Sequence, residues 1–152
     1  MNFYMEATGI KRSCIRMRRL SRRRVETEPA MQKVADEMMH AIAANFQSQG
    51  RRSGGSWKKD TSKWAEQKVK RGLDPRIGHA TLALRISMTV RDSDHQRLYV
   101  DHNTVALGSD LPYAESAQRH RPFVKFTRGD KTKFKLIIQR YLIAAWNGSV
   151  SE

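Results

Sequence analysis

The sequence predicts an α+β fold: a small antiparallel sheet of about three or four strands packs against N- and C-terminal helices, behind a basic helical leader. Segments 28–47 and 130–146 carry apolar residues at helical spacing. Between them, segment 81–107 contains alternating apolar and polar residues separated by turn-forming links. A chain of 152 residues suits one domain. We therefore expect a leader over 1–26, a single domain over 27–148 and a disordered tail over 149–152.

The leader is defined by its charge. Up to Arg24 it holds eight basic residues and one acidic residue. The difference, +7, is half of the chain's net charge of +14. Ile10, Cys14 and Met17 fall near one stripe at helical spacing, which favours a helix. Like charges at i,i+4 spacing repel each other, so we expect this helix to become ordered only on assembly.

The first long helix is predicted from Glu28 to Gln47. Thr27 is a plausible N-cap, Pro29 is tolerated in the first turn, and Gly50 ends the helix. An apolar stripe should face the core: Met31, Val34, Met38, Ile42 and Phe46. The segment 50–56 is rich in Gly, Ser and Arg and predicts a loop that Trp57 pins to the domain.

A shorter helix is predicted from Thr61 to Arg71. Thr61 or Ser62 would cap it, and Trp64, Ala65 and Val69 would face inward. Four residues then break the chain: Gly72, Asp74, Pro75 and Gly78.

Three runs predict strands in an antiparallel meander: Thr81–Val90, Arg97–Val100 and Thr104–Leu107. The first has the clearest alternation, with an apolar residue at every second position from Leu82 to Val90. After the meander, segment 112–119 predicts one or two helical turns, and Arg121–Phe123 an extended segment. We expect the rings of Phe123 and Trp57 to be buried.

The last helix is predicted to start at a capping residue, Asp130, and to stop at Asn147 and Gly148. Its apolar stripe should be buried: Phe134, Ile137, Ile138, Tyr141, Leu142, Ala145 and Trp146.

Composition limits the chemistry. The single cysteine, Cys14, permits no internal disulfide, and no apolar run approaches the length of a membrane span. We therefore expect a protein that is soluble and cytoplasmic at synthesis and has no membrane partner. The apolar fraction of 39% is low for a globular chain, so burial should be completed against neighbouring molecules.

Two weak sets of candidate catalytic or metal-binding residues occur. Turn residues that could ligate a divalent ion are Asp92, Asp94, His95, Asp101 and His102, but hairpin turns use these same residue types. His120 lies between Arg119 and Arg121, where a nuclease could use it as a base, yet no paired carboxylates accompany it. We therefore expect neither an enzyme nor a cofactor.

Positive charge of this density attracts polyanions. Segment 51–76 adds nine basic residues against three acidic ones. Nucleic acid is the expected partner, and an acidic protein surface is the second candidate. The alternative without a binding partner is a solvated basic face that keeps the protein soluble.

A series of short motifs runs through the middle of the chain in a fixed order. They are carried by Phe46, Trp57, Lys68, Thr81, Leu84, Ser87, Gly108, Ser109, Tyr113, Ala114, Arg121, Pro122 and Phe123. In this order and spacing, from Glu28 to Trp146, the chain resembles the phage virion-morphogenesis or tail-completion family, typified by the G protein of phage Mu. Leu82 departs from the pattern, since glycine is usual there, and segment 115–120 replaces the family's usual His-Gln and glycine.

The resemblance implies a structural head-tail connector, a neck or tail-completion protein of a tailed bacteriophage or prophage. Such a protein would form a ring of six copies, or alternatively twelve, on the virion axis, and double-stranded DNA would pass through it without sequence reading. It would be assembled in the host cytoplasm and reside in the virion neck. Its partners would be portal, adaptor or stopper-side neck proteins and tail terminator or tube proteins.

Ten basic residues are candidates for contact with the DNA or with adjoining rings: Arg12, Arg16, Arg18, Arg19, Arg22, Arg23, Arg51, Arg52, Lys58 and Lys59. The alternative from another class is a stand-alone basic nucleic-acid-binding module, and a small nuclease is a third hypothesis.

Overall fold

A computed structural model describes residues 26–73 and 82–147. Within these ranges the fold is α+β, with five α-helices and one two-stranded antiparallel sheet. The helices are α1 (Glu28–Gln47), α2 (Ser62–Lys70), α3 (Ala83–Thr89), α4 (Ala114–His120) and α5 (Arg128–Trp146), the strands are β1 (Gln96–Val100) and β2 (Val105–Ser109), and Arg51–Ser53 form a 3₁₀ turn. The predicted leader helix, Thr81 and the tail 149–152 lie outside the described residues.

Helix α1 has the predicted bounds and forms one wall of the core. Pro29 occupies its first turn, where a missing backbone N–H costs nothing. Thr27 holds the N-cap position, but its hydroxyl donates to the His102 carbonyl and does not cap the helix. The buried residues are Ala30, Val34, Ala35, Met39, Ala41, Ile42, Asn45 and Phe46.

The core centres on three aromatic rings. Phe46 meets Trp57 edge to face, with ring centroids 5.4 Å apart, and stacks on Phe123 at 5.2 Å. Such pairs are preferred geometries between aromatic quadrupoles. Ile42, Leu84 and Met88 complete the buried cluster. The prediction that Trp57 and Phe123 are buried is confirmed, with exposed fractions of 6% and 4%.

The predicted strand Thr81–Val90 is wrong, because residues 83–89 form helix α3. Apolar residues at every second position lie on two faces of this helix: Leu84 and Met88 are buried, whereas Ile86 and Val90 are exposed. The two buried residues are four positions apart, and so are the two exposed ones. Residues at i and i+4 share one face of a helix, so the same apolar pattern is compatible with a helix and with a strand. The hydroxyl of Ser87 donates to the Leu84 carbonyl (2.9 Å), a bond local to the helix.

The sheet therefore contains two strands where three or four were predicted. β1 and β2 pair in an antiparallel hairpin, with Gln96 opposite Ser109 and Val100 opposite Val105. The two shorter strand predictions are confirmed. β2 continues through two residues of the motif series, Gly108 and Ser109, beyond the predicted end at Leu107.

Helix α5 starts earlier than predicted. Thr127 is its N-cap, and Asp130 completes a capping box with it as the third helical residue. The helix packs on α1. Its predicted stripe is only partly covered, and the expected burial of Leu142 is wrong, since 43% of that residue is exposed.

Helix α2 has Thr61 as its N-cap, as predicted, with the Thr61 hydroxyl accepting from the Trp64 N–H. The inward position expected for Val69 is wrong: Val69 is 66% exposed, and the residue buried in its place is Lys68. The helices of the described ranges are too short or too polar to span a membrane.

Candidate interaction surface

The loop between α1 and α2 is fixed to the domain by Trp57. The Trp57 backbone N–H donates to the Gln49 carbonyl (2.9 Å), and its indole Nε1–H donates to the Pro122 carbonyl (3.3 Å). Gly50, with φ of +84°, turns the chain directly beneath the indole. The sequence prediction that Trp57 pins this loop is confirmed.

Asp60, at the end of the same loop, joins two cations. Its carboxylate accepts from Lys68 Nζ (2.6 Å) and is also bonded by the Arg121 guanidinium. The side chains of Asp60 and Lys68 are 5% and 1% exposed. Burial alone would raise the pKa of Asp60, but the hydrogen bonds and charges of Lys68 and Arg121 outweigh it and lower that pKa. The contact ties the loop to α2 and to the segment after α4.

Arg52 forms a second bridge, to Asp130 at the start of α5. Its Nη1 lies 2.9 Å from Asp130 Oδ2, and its Nη2 bonds the other carboxylate oxygen, which is a bidentate pair. Burial alone would raise the pKa of Asp130, but the bonds from Arg52 and Thr127 outweigh it and lower the pKa to about 2. Arg52, predicted as a DNA or ring contact, is therefore engaged inside the subunit.

The other three described residues of that predicted contact set are exposed. Arg51 bonds the Ser48 carbonyl through Nε (3.3 Å), and Lys58 and Lys59 follow Trp57 on the loop surface. The arginines predicted at positions 12, 16, 18, 19, 22 and 23 lie outside the described residues.

An open pocket of about 590 Å³ lies beside this loop. Trp57, Trp64 and Tyr113 contribute aromatic surface, and Leu84 of α3 lies at its inner side. Its basic lining residues are Lys58, Lys59, His120 and Arg121, and Asp60 is its acidic one. The pocket thus combines an apolar interior with a cationic border.

The structure brings together motif residues that are far apart in the sequence. Phe46, Trp57, Leu84 and Phe123 meet in the core, while Lys68 and Arg121 share one carboxylate. The hydroxyl of Ser87 lies 2.8 Å from that of Ser109, beside Gly108 on β2. Tyr113 precedes α4 and lines the pocket, and Pro122 accepts from Trp57.

Two residues that support this surface were missed by sequence reasoning: Asn45 and Asp60. Asn45 is buried and donates through Nδ2 to the carbonyls of Phe123 (2.9 Å) and Lys125 (2.8 Å). Asp60 could have been suspected, because it is an acid inside a strongly basic segment. Asn45 gave a weaker signal, a polar residue on the apolar side of α1.

The weak catalytic and metal sets separate into local contacts. His95 Nδ1 lies 2.9 Å from Asp110 Oδ1, and His120 Nδ1 lies 2.8 Å from the Ser116 carbonyl in its own helix. In the part of the chain that the structure describes, no three His, Cys, Asp or Glu side chains are grouped as a metal site would require.

Comparison with known proteins adds no relative: no family model, no curated protein and no solved structure matches this chain.

Proposed function

We propose that the protein is a structural head-tail connector of a tailed bacteriophage or prophage, a neck or tail-completion protein that forms a ring around the DNA path. The observation that carries this proposal is the convergence of the motif residues. Phe46, Trp57, Leu84 and Phe123 form one buried cluster, and Lys68 and Arg121 meet at Asp60. The motifs on which the family resemblance rests thus maintain a shape, which is the role of a scaffold.

The charge distribution supports a DNA path. A net charge of +14 on 152 residues produces a field that attracts phosphates at long range. Arg51, another of the predicted contact residues, is exposed on the loop that Trp57 and the Asp60 bridge hold in place. A cation held in this way contacts phosphates without reading sequence, as passage of a whole genome requires.

The direct test removes the coding sequence from the phage or prophage that encodes the protein. The expected lysate contains DNA-filled heads and finished tails that are not joined, counted by electron microscopy. Supplying the protein from a plasmid should restore joined particles. Normal yields of joined, infectious particles without the protein would refute the proposal.

A finer test concerns the leader. Replacing Arg12, Arg16, Arg19 and Arg23 with Gln should preserve the thermal unfolding transition of the domain but reduce the yield of infectious particles. The matched control replaces the same four with Lys, which keeps the charge and should retain most of the yield if phosphate or acidic surface is contacted. Equal yields from the Gln and Lys variants would show that the leader serves solubility alone.

The alternative of a stand-alone nucleic-acid-binding module predicts a different pair of results. Affinity of the isolated protein for duplex DNA would fall steeply with salt, and its loss would leave head-tail joining intact. The lysate experiment separates the two functions, because only the connector is required for joining.

A further inference from the structure

The pocket described above, here called the basic pocket, carries exposed cations at its border. These are Lys58 and Lys59, and neither forms an ion pair with any residue in the described ranges. Asp60, the acid of the lining, is already bonded to Lys68 and Arg121. The pocket therefore suits an apolar side chain that carries carboxylates beside it.

A surface of that chemistry occurs on the same chain, at the C-terminal end of α3. It is called here the acidic edge and consists of Ile86, Val90, Asp92 and Asp94. Ile86 and Val90 are 43% and 50% exposed, one helical turn apart. Asp92 and Asp94 follow in an exposed turn and form no ion pair among residues 26–73 and 82–147.

The two surfaces lie on different sides of one helix. Leu84 of α3 lines the basic pocket, whereas Ile86, two residues later, is rotated by about 200° around the helix axis. A subunit with complementary patches on opposite sides associates head to tail, and such an interface closes into a ring when its rotation allows.

We infer that the basic pocket of one copy receives the acidic edge of a second copy of this chain. Val90 enters beside Trp64 and Tyr113, and the carboxylates of Asp92 and Asp94 meet Lys58 and Lys59. This contact would be the interface between neighbouring subunits of the proposed ring. The inference rests on the proposed function only where it assumes that the contacts close into a ring.

Disulfide trapping detects the contact even if association is weak. Two variants are prepared in a Cys14→Ser background, Lys59→Cys and Asp94→Cys, and mixed under mild oxidation. Their mixed disulfide should form about tenfold faster than that of a control pair, Lys59→Cys with Glu28→Cys, because contact raises the effective thiol concentration. Equal rates for the two pairs would overturn the inference.

The trapping pattern also reports the symmetry. A chain carrying both Lys59→Cys and Asp94→Cys should yield a ladder of covalent oligomers, as head-to-tail contacts require. Products that stop at the covalent dimer would contradict a head-to-tail interface.

The apolar part of the contact has a matched control. Val90→Ser should slow trapping between the Lys59→Cys and Asp94→Cys positions several-fold. Val69→Ser, the same change at an exposed valine outside both patches, should leave the rate unchanged. Both residues are at the surface, so neither change should impair folding, which circular dichroism checks. Equal effects of the two substitutions would count against the contact.

The pocket could instead be occupied by an acidic segment of another neck or tail protein. In that case the rate of disulfide trapping between copies would not exceed that of the control pair. The double substitution Lys58→Glu with Lys59→Glu would still prevent joining of heads and tails. These two results together would overturn the second-copy inference. Absence of trapping in a protein still required for joining would leave the connector function standing. Trapping in a protein whose loss leaves normal particles would refute the function and leave the contact standing.

Discussion

Gly50 provides the sharpest test of the loop geometry. It turns the chain after α1 with a φ of +84°, and a Cβ at this position would lie 2.6 Å from Trp57 Nε1 and closer still to Cδ1. Gly54, four residues later, has a φ of +87°, and a Cβ there would meet no atom within 4 Å, so its surroundings are open. The two glycines share the backbone conformation and differ in packing.

The magnitude follows from these two contributions. Alanine in the left-handed region costs about 1–2 kcal/mol, and the reduced entropy of the unfolded chain offsets about 0.4–1 kcal/mol of that. We therefore expect Gly54→Ala to cost about 1 kcal/mol. Gly50→Ala must also displace Trp57, which is 6% exposed and packed on Phe46. Removing a buried aromatic costs about 3–5 kcal/mol, so we expect about 2–4 kcal/mol in addition.

Urea unfolding followed by far-UV circular dichroism measures both variants against the unmodified protein. A double-mutant cycle adds the decisive control: in a Trp57→Leu background the extra cost of Gly50→Ala should fall, because the clashing ring is absent and the Gly55 carbonyl oxygen, 3.0 Å from the added Cβ, is the close neighbour that remains. If Gly50→Ala costs no more than Gly54→Ala, or if the extra cost persists in full without Trp57, the position assigned to the loop is wrong.

Three further predictions concern stability. Phe46→Ala should lower the free energy of unfolding by about 3–5 kcal/mol, since the ring is 1% exposed and touches two other aromatics, and urea titration measures the loss. Leu142→Ala should cost about 1 kcal/mol or less in the isolated protein, because 43% of the residue is exposed, and a larger loss by the same titration would contradict its placement. Because the pKa of Asp130 is lowered, its ionised carboxylate stabilises the fold at pH values above its ordinary pKa of 3.8, and this contribution disappears as the pH falls towards about 2. Arg52→Ala should reduce the free energy of unfolding at neutral pH by about 1.5–3 kcal/mol. It should also weaken the dependence of stability on pH in the acid range, which thermal melts between pH 7 and about pH 2 measure.

The long helices could be predicted because several local signals agree in them. In α1, both Pro29 in the first turn and the apolar stripe ending at Phe46 favour a single helix. In α5, Thr127 and Asp130 form a capping box, which the sequence also contains, although only Asp130 was singled out. The burial of Trp57 was anticipated from a different signal, an aromatic residue that directly follows a Gly-, Ser- and Arg-rich loop.

Helix α3 could not be predicted from alternation alone. Seven residues are too few to separate a period of two from pairs at i,i+4. Composition was the better signal, since Ala83, Leu84, Arg85 and Met88 are helix formers and a strand of this kind would favour β-branched residues. The apolar side chains on its outer face, Ile86 and Val90, made it resemble a strand.

The bridges of the candidate surface depend on distant parts of the chain. Asp60 and Arg121 are separated by 61 positions and Arg52 and Asp130 by 78. Local periodicity carries no information about such pairs. A strongly basic segment therefore suggested DNA contact for Arg52, whereas the folded chain uses that charge to hold α5.

The proposed function is that of a ring-forming connector between head and tail. Native mass spectrometry of necks detached from mature particles tests this most directly, because it weighs the assembly that contains the protein. A connector ring predicts a closed assembly with six copies of the chain, or twelve, associated with neighbouring neck or tail proteins. Particles that contain none of the protein, or only single copies of it, would refute the proposed function.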